Sequence, residues 1–385
     1  MDTREQELHA LRWPPGPGAA AALFRLWEAG AAVLPIRWDL PDPAIARLVE
    51  RARPSAIVDP GGTTRLDGGR PIGVGDALCV PTAGTTGEPK LVVLSHAALE
   101  TSARMTHDRL GLDGARWLCA LPLDHVAGLM ILVRSRLAGT DPVVLERFEP
   151  GAVDAADAHV VSLVPTMLER LLAAGADLRR WRWILLGGAA VHPSLLERAG
   201  DAGAGIVRTY GMTETCGGVV YDGLPLDGVR VHVRPDGIVR LHTPTVMEGY
   251  RFDAAATAAA MDGGWFVTGD LGEWTGERLR VTGRADDVIV TGGEKVSPDE
   301  VESLLATHPS VAEVAVAGRE DDEWGQLVVA YVVPTEGARP TLAELRAHVA
   351  AVAPAYKAPK EVVIVGEIPR LPSGKVSRSS LSSDS

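Results

Sequence analysis

Short apolar runs alternate with longer segments of helical composition along the first hundred residues. The apolar runs are bounded by turn residues and are too short for buried helices, so they predict buried strands. These strands are predicted at residues 32–36, 56–58, 77–80 and 91–94. Segments 20–29 and 43–53 have helical composition, and we predict that the glycine- and threonine-rich stretch 61–75 is a surface loop. Helices alternating with short buried strands predict an α/β domain with a largely parallel sheet.

The same alternation continues through the middle of the chain. Ser95 is the predicted N-cap of a helix that runs to about residue 110, and a second helix is predicted over 127–138. Pro165 suits the first turn of a third helix and Gly175 its end. Further strands are predicted at 117–121, 160–164, 183–186 and 206–209.

Short strands and turns dominate the next stretch, 217–265, and predict a β-rich subdomain. The pattern changes again from Arg284, where Ser297–Glu300 and Thr341–Glu344 have the capping-box sequence that opens a helix. Strands are predicted at 311–317, 327–333 and 362–365. Two helices among these strands predict a small α+β domain, so the predicted domains are 1–284 and 285–385.

Composition and charge narrow the partners and the compartment. The formal net charge of −12 argues against a nucleic-acid partner, which would require a basic patch. Cys79, Cys119 and Cys216 lie far apart without C-x-x-C spacing, so neither a disulfide framework nor a zinc site is predicted. The first residues lack the apolar region of a signal peptide, and no apolar run approaches the roughly 18 residues of a membrane span. We therefore expect a cytoplasmic protein with no membrane partner.

The loop between the predicted strands 77–80 and 91–94 carries the chemistry of a polyphosphate cradle. Its glycines let the backbone turn N–H groups toward a ligand, its threonine hydroxyls donate to oxygens, and its lysine adds a positive charge. It is not a Walker A loop, because a proline precedes the lysine and a strand follows. A flexible turn between two strands is the alternative. The candidate phosphate-binding residues are Thr82, Ala83, Gly84, Thr85, Thr86, Gly87 and Lys90.

Four further motifs follow that loop along the chain. They are Tyr210-Gly211-Met212-Thr213-Glu214-Thr215, Trp265-Phe266-Val267-Thr268-Gly269-Asp270, Gly283-Arg284-Ala285-Asp286-Asp287 and Pro372-Ser373-Gly374-Lys375. Together with the loop, they resemble the motifs of the adenylate-forming enzymes, the superfamily of acyl-CoA synthetases, luciferases and peptide-synthetase adenylation domains. The resemblance covers about residues 77–378. It implies a large N-terminal domain of α/β sheets with a β-rich subdomain, followed by a small mobile α+β C-terminal domain.

The resemblance implies a nucleotide site. Tyr210 packs on adenine, Thr213 contacts the α-phosphate and Glu214 binds Mg²⁺, with Gly211 and Met212 in the same segment. These roles suit the residue types, since an aromatic face stacks on a base and Mg²⁺ prefers carboxylate and phosphate oxygens. Asp270 is implied to bind the ribose hydroxyls, Arg284 the ribose or a phosphate, and Asp286 to act as a hinge. Gly187, Gly188 and Ala189 are implied to line the adenine and acyl sites, although local sequence predicts a tight strand-to-helix turn equally well.

The acyl, catalytic and thiol sites follow from the same resemblance. His125 stands where the superfamily has an aromatic residue or histidine beside the acyl pocket; a helix-start histidine bonded to backbone is the alternative. Lys375 matches the C-terminal catalytic lysine, and otherwise it is a lysine of a mobile tail. Gly292 and Gly293 are implied to line the channel for the pantetheine arm of coenzyme A.

Two arginines in an apolar run, Arg134 and Arg136, allow two interpretations. They are surface or subunit-interface residues, or one of them attracts a second carboxylate on the substrate.

The implied activity is ATP-dependent ligation of a carboxylic acid to coenzyme A, with Mg²⁺ as cofactor. Segments 121–129, 132–139 and 210–229 most resemble the o-succinylbenzoate–CoA ligases of menaquinone biosynthesis. An aryl or fatty acid ligase of another pathway is an alternative, as is a stand-alone adenylation enzyme that loads a carrier protein. A non-catalytic nucleotide sensor is a further alternative. A homodimer is the assembly we expect.

Overall fold

The computed structural model describes residues 5–82, 89–191, 193–370 and 376–382. The chain divides into two compact units. The larger unit comprises residues 1–188, 198–231 and 241–267, and the smaller one comprises 189–197, 232–240 and 268–385. Helices and strands alternate in the larger unit, and strands with few helices make up the smaller one. This confirms the predicted fold class of a large α/β part with a smaller α+β part, whereas the boundary at 284/285 and the mobility of the small domain stay predictions.

The helices are short to medium in length and are spread over both units. They are α1 (Pro17–Glu28), α2 (Asp42–Ala52), α3 (His96–Leu110), α4 (Val126–Leu137), α5 (Pro150–Asp154), α6 (Pro165–Ala173), α7 (Pro193–Asp201), α8 (Ala254–Ala259), α9 (Pro298–Leu305), α10 (Leu342–Ala350) and α11 (Arg378–Ser382). None of these described helices has the length and apolar character that crossing a bilayer requires.

The strands of the first half of the chain are β1 (Leu8–Arg12), β2 (Ala32–Ile36), β3 (Ala56–Asp59), β4 (Gly62–Arg65), β5 (Asp76–Thr82), β6 (Lys90–Ser95), β7 (Trp117–Cys119), β8 (Val143–Val144), β9 (Val160–Leu163), β10 (Trp183–Leu186), β11 (Ile206–Met212), β12 (Gly217–Tyr221) and β13 (Leu224–Pro225). Those of the second half are β14 (Arg230–Val233), β15 (Ile238–His242), β16 (Gly249–Tyr250), β17 (Met261–Asp262), β18 (Trp265–Thr275), β19 (Arg278–Arg284), β20 (Ile289–Thr291), β21 (Glu294–Val296), β22 (Val311–Asp321), β23 (Gly325–Pro334) and β24 (Glu361–Ile364).

The larger unit contains two seven-stranded sheets, in the orders β16-β6-β5-β2-β1-β3-β4 and β13-β12-β11-β10-β9-β7-β8. In the second sheet, strands β8, β7, β9, β10 and β11 are all parallel, as the alternating pattern predicts. The carboxyl ends of these strands therefore share one edge, which is the usual place for a ligand in an open α/β sheet. The smaller unit contains a sheet in the order β21-β20-β23-β22, with β24 beside β23.

Local capping chemistry explains where helices α3 and α10 begin. The Ser95 hydroxyl accepts a hydrogen bond from the Ala98 amide at 3.3 Å, and α3 ends at Gly111 with φ at 63°. Both ends of this helix confirm the prediction, and such an N-cap contributes about 1 kcal/mol. The capping box at Thr341–Glu344 is also confirmed by reciprocal hydrogen bonds. The predicted box at Ser297 is wrong, because that hydroxyl donates to the Thr282 carbonyl and makes no cap bond.

The prediction of a surface loop over 61–75 is wrong for residues 62–65. These residues form the exposed strand β4, which pairs antiparallel with β3 from Ala56 opposite Arg65 to Asp59 opposite Gly62. Gly62, at φ 133°, closes the turn, and two β-branched threonines suit the edge position that follows. The glycine and threonine content of the stretch is typical of a loop, and β4 shares the exposure of a loop because all four of its residues are exposed.

Candidate active site

The ends of the candidate phosphate loop are joined by a pair of strands. β5 and β6 are antiparallel, with Thr82 opposite Lys90, and the Thr82 hydroxyl donates to the Lys90 carbonyl at 3.4 Å. Both flanking strands confirm the pattern-based prediction. The structure therefore holds Thr82 and Lys90 together at the base of the loop. The predicted residues Ala83, Gly84, Thr85, Thr86 and Gly87 lie outside the described residues, so their phosphate role stays a prediction.

Glu214 and Lys90 meet at a tyrosine that sequence reasoning missed. The Tyr250 hydroxyl donates to Glu214 Oε1 at 2.9 Å, and Lys90 Nζ lies 4.8 Å from the centroid of the Tyr250 ring. An ammonium within about 6 Å of a ring face is attracted to it electrostatically. Tyr250 is only 8% exposed, and Lys90 and Glu214 are half-buried. We call these three residues the Lys90–Tyr250–Glu214 cluster; it combines a cation and a carboxylate at the end of the phosphate loop.

A network of hydroxyl groups fixes the short 3₁₀ turn Thr213–Thr215 that carries Glu214. Thr215 Oγ1 accepts from the Met212 amide at 3.0 Å and donates to the Gly217 carbonyl at 2.8 Å. The Thr245 hydroxyl donates to the Thr215 carbonyl at 3.0 Å, and Ser102 of α3 donates to the carbonyl of Cys216 at 3.0 Å. Thr215 is fully buried. Because these hydrogen bonds hold the turn to several neighbouring segments, the backbone that carries the Glu214 side chain is fixed.

The strand before this turn needs glycine at Gly211. A Cβ there would lie 2.7 Å from Gly218 Cα and would overlap the Gly217 carbonyl oxygen of β12. Tyr210, the predicted adenine contact, precedes it on β11 and is half-buried. The close approach of β11 and β12 at Gly211 therefore fixes the backbone of the segment that carries Tyr210, Met212 and Thr213.

Gly187 and Gly188 directly follow β10, beside β11 in the parallel sheet. A Cβ at Gly187 would overlap Thr209 of β11, and Gly188 has φ of 84°. The turn is therefore both tight and close to β11, as either interpretation of this segment requires. The roles of Gly187, Gly188 and Ala189 at the adenine and acyl sites stay predictions.

In the smaller unit, the structure brings together Asp270, the predicted ribose contact, and Arg284, the predicted ribose or phosphate contact. Asp270 on β18 lies opposite Arg284 on β19, and Arg284 Nη1 is 3.1 Å from Asp270 Oδ1. The Asp270 side chain is 10% exposed and that of Arg284 is 46% exposed. Gly269 allows this contact, since a Cβ there would lie 2.6 Å from Arg284 Nη2. The pair places a carboxylate beside a guanidinium, which suits a ribose next to a phosphate.

The predicted pantetheine segment is a tight turn between β20 and β21. Gly292 and Gly293 have φ of 59° and 83°, in the left-handed region that favours glycine. The Gly292 amide donates to the Trp324 carbonyl at 2.8 Å, and a Cβ on Gly292 would lie 2.9 Å from the Trp324 ring. Glycine is therefore required for backbone shape and for close packing, while contact with coenzyme A stays a prediction.

Lys375 lies outside the described residues, but the segment after it is anchored. Arg378 on α11 donates to Asp287 at 3.3 Å and to Glu302 at 2.8 Å, and it also bonds Asp299. Burial raises the pKa of Glu302, although the positive charge of Arg378 opposes that rise. The guanidinium therefore neutralises a set of partly buried acids. It ties the chain three residues after Lys375 to the residue next to the predicted hinge, Asp286.

The His125 side chain is exposed at the start of α4. It makes no cap hydrogen bond, and its Nε2 lies 3.8 Å from Asp124 Oδ2. The alternative of a histidine bonded to backbone as a helix cap is therefore wrong. Its place beside an acyl pocket stays a prediction.

The interpretation of a surface or interface arginine is wrong for Arg134. Its side chain is buried, and its guanidinium carbon lies 5.3 Å from the centroid of Trp117. Arg134 lies on α4, nine residues after the N-cap residue His125. The interpretation that it attracts a second carboxylate on the substrate stays a prediction. Arg136 does lie at the surface and pairs with Glu28 at 3.6 Å.

Mg²⁺ fits this donor set through Glu214. Within the described ranges no three His, Cys, Asp or Glu side chains converge to form a cage of protein ligands. Glu214 is a single half-buried carboxylate near Lys90, at the end of the candidate phosphate loop, which suits Mg²⁺ because this ion binds one or two carboxylates together with substrate phosphates.

The cysteines are unsuited to accept an acyl group. All three are buried, and burial raises the pKa of Cys79 and of Cys119 to about 12 and also raises the pKa of Cys216. At pH 8 these thiols stay protonated, and the thiolate is the nucleophile. We expect the native protein to react with a disulfide reagent such as DTNB about one thousandth as fast as the urea-unfolded protein, because raising the thiol pKa from 9.0 to about 12 lowers the thiolate fraction at pH 8 roughly 10³-fold. Equal rates in both states would contradict the burial.

Comparison with known proteins agrees with this geometry. The AMP-binding enzyme family matches residues 76–250, and the C-terminal domain of AMP-binding enzymes matches residues 300–375. A probable 2-succinylbenzoate–CoA ligase of Mycobacterium tuberculosis is 43% identical over 359 residues, which cover 88% of this chain and 93% of that protein. An indoleacetate–CoA ligase of Aromatoleum aromaticum is 34% identical over 94% of this chain and 84% of its own length.

A solved structure of o-succinylbenzoate CoA synthetase from Bacillus subtilis, in complex with the acyl-adenylate intermediate OSB-AMP, has a similar fold. The TM-score is 0.87 at 28% identity, and the match covers 100% of this chain and 89% of that one. The same enzyme has also been solved with ATP and a magnesium ion. The sequence motifs, the fold and these relatives agree on one assignment: the chain belongs to the family of AMP-binding enzymes and is an AMP-forming acid–thiol ligase.

Proposed function

We propose that this protein activates 2-succinylbenzoate with ATP and transfers it to coenzyme A. The observation that carries the proposal is the Lys90–Tyr250–Glu214 cluster, which sets a cation and a candidate Mg²⁺ ligand at the base of the phosphate loop. The 43% identity to a ligase named for this acid supports the substrate. The relative named for indoleacetate makes other aryl acids the principal competitors. Cytoplasmic location and a homodimer stay predictions.

The chemistry proceeds in two steps. A carboxylate oxygen of the acid attacks the α-phosphate of ATP, forming an acyl-adenylate and releasing pyrophosphate. The thiol of coenzyme A then attacks the acyl carbonyl, and AMP leaves with the bonding electrons of the anhydride. Catalysis of the first step is mainly positioning and electrostatics, because the protein makes no covalent bond to the phosphoryl group.

In this proposal each residue has one task. Lys90 and the loop hold the pyrophosphate, and Glu214 holds Mg²⁺, which neutralises charge on the phosphates when bound. Tyr210 packs on adenine, and Thr213 donates to the α-phosphate. Lys375 bridges the substrate carboxylate and the α-phosphate. Asp270 binds the ribose hydroxyls beside Arg284.

A substitution at the proposed hinge residue, Asp286, should affect the two half-reactions differently. We expect Asp286→Pro to keep adenylate formation within about two-fold and to lower thioester formation about ten-fold or more, because proline fixes φ where the chain must rotate. The matched control Asp286→Asn leaves the backbone free and keeps both steps. Pyrophosphate release without coenzyme A and thioester formation from preformed adenylate measure the steps separately. Equal loss of both steps would contradict the hinge role.

A panel of acids tests the substrate. The protein is incubated with ATP, Mg²⁺ and coenzyme A plus 2-succinylbenzoate, benzoate, indoleacetate or a medium-chain fatty acid, and pyrophosphate and thioester are measured. We expect kcat/KM for 2-succinylbenzoate to exceed that for the others by at least about 10²-fold, as a site that pairs an extra carboxylate should. Preference for a comparator would keep the reaction and discard this substrate. Adenylate without thioester would indicate a carrier protein as acceptor.

A further inference from the structure

Tyr250 is held more rigidly than a single hydrogen bond would require. Its strand, β16, pairs with β6, with Tyr250 opposite Val92. Its amide donates to Thr257 Oγ1 at 2.8 Å, and the next amide, of Arg251, donates to the Leu91 carbonyl at 2.8 Å. β6 begins at Lys90, so the tyrosine and the lysine are carried by paired strands.

Arg251, the residue after Tyr250, anchors this strand by hydrogen bonds to another part of the larger unit. The Arg251 guanidinium donates to the carbonyls of Ala52 at 2.8 Å, Arg70 at 2.7 Å and Pro71 at 3.0 Å. Three carbonyl acceptors leave this side chain little freedom, and Tyr250 is fixed beside it. The phenol hydroxyl therefore has a set position before any ligand arrives.

Both charged groups that serve the nucleotide phosphates touch this one side chain. Glu214 Oε1 accepts a hydrogen bond from the Tyr250 hydroxyl at 2.9 Å, and the Lys90 ammonium lies 4.8 Å from the ring centroid. Without the phenol, the Glu214 carboxylate and the Lys90 ammonium are free to form an ion pair with each other. In that ion pair, Glu214 would be less available to Mg²⁺ and Lys90 less available to phosphate. A hydroxyl that bonds one oxygen of Glu214 leaves the second oxygen for a metal.

We propose that Tyr250 is a positioning residue that orients the Glu214 carboxylate toward the Mg²⁺ of bound Mg·ATP and keeps Lys90 available for phosphate. This inference rests on the proposed function, because it assumes that Glu214 and Lys90 serve the nucleotide. Partners that orient a metal-binding carboxylate contribute strongly to metal affinity. Tyr250 itself contacts neither substrate nor metal in this account.

The test is a binding measurement with Tyr250→Phe, which keeps the ring and removes the hydroxyl. Mg²⁺ is titrated calorimetrically into protein saturated with a non-hydrolysable ATP analogue, and AMP binding is measured separately in EDTA. We expect the Mg²⁺ concentration at half-saturation to rise roughly ten-fold or more, in the range typical for loss of such a partner. AMP affinity without metal should stay within about two-fold, because adenosine contacts are unchanged.

Tyr221→Phe is the matched control. The Tyr221 hydroxyl is also buried and forms a hydrogen bond with Thr106 Oγ1 at 2.9 Å. This bond does not involve any residue of the Lys90–Tyr250–Glu214 cluster. The Tyr221→Phe variant should leave both titrations unchanged. An unaltered Mg²⁺ titration in Tyr250→Phe, or an equal loss of AMP binding, would overturn the proposal. The titration requires no acid and no thiol, so failure of the wild-type protein to make any thioester would reject the proposed function separately.

Discussion

The Glu214→Gln variant should form acyl-adenylate about 10²-fold more slowly than the wild-type protein at a fixed Mg²⁺ concentration, because it loses the carboxylate that we propose as the anionic ligand of the metal. Glutamine has nearly the same shape, and its carbonyl oxygen can still accept the Tyr250 hydroxyl bond seen at 2.9 Å. The turn Thr213–Thr215 is held by its own hydroxyl network, so the fold should not change. Pyrophosphate release over a range of Mg²⁺ concentrations measures the effect.

Glu248→Gln is the control for charge alone. Glu248 is exposed and lies two residues before Tyr250, outside the cluster. Removing its charge should leave the Mg²⁺ dependence of pyrophosphate release unchanged. If Glu214→Gln behaved like Glu248→Gln, the assignment of Glu214 as the Mg²⁺ ligand would be rejected.

The Gly211→Ala variant should lose both stability and activity. The added Cβ would lie 2.7 Å from Gly218 Cα and would overlap the Gly217 carbonyl oxygen, and backbone atoms cannot move aside as a flexible side chain can. Overpacking of this kind costs about 3 kcal/mol. Because β11 leads directly into the turn that carries Glu214, separation of β11 from β12 should also displace the nucleotide site. Urea unfolding and the rate of pyrophosphate release measure the two effects.

Gly200→Ala is the matched control for the Gly211→Ala variant. Gly200 lies within α7, and nothing lies within 4 Å of a Cβ built there. Alanine is favoured over glycine in a helix by about 1 kcal/mol, so this variant should be as stable as the wild-type protein or more stable. A Gly211→Ala protein that unfolds at the wild-type urea concentration would show that β11 and β12 can separate at little cost.

Sequence reasoning succeeded where the signals are local. The start of helix α3 is predicted correctly because its N-cap, Ser95, is adjacent to the helix in sequence, and the predicted end at about residue 110 agrees with the observed end at Leu110. The strands on either side of the phosphate loop were predicted because buried apolar runs bounded by turns are short-range patterns. The family motifs are short strings too, which is why the fold class and the reaction could be predicted.

The errors and omissions involve partners that are distant in sequence. Ser297 matches a capping box, but its hydroxyl bonds the carbonyl of Thr282, which lies 15 residues earlier. Tyr250 is 36 residues from Glu214, and no spacing rule connects a tyrosine to a carboxylate across that separation. Arg134 shows the opposite problem. Its charge predicts exposure, whereas its packing against Trp117 buries it.

The central claim is that this protein makes an acyl-adenylate and passes it to coenzyme A. Its most direct test is a quenched reaction of wild-type protein with ATP, Mg²⁺ and 2-succinylbenzoate, analysed by mass spectrometry before and after coenzyme A is added. We predict one acyl-adenylate per pyrophosphate before the addition, and conversion of that adenylate into equal amounts of thioester and AMP afterwards. Formation of ADP and phosphate, or of thioester from an intermediate without AMP, would contradict the account.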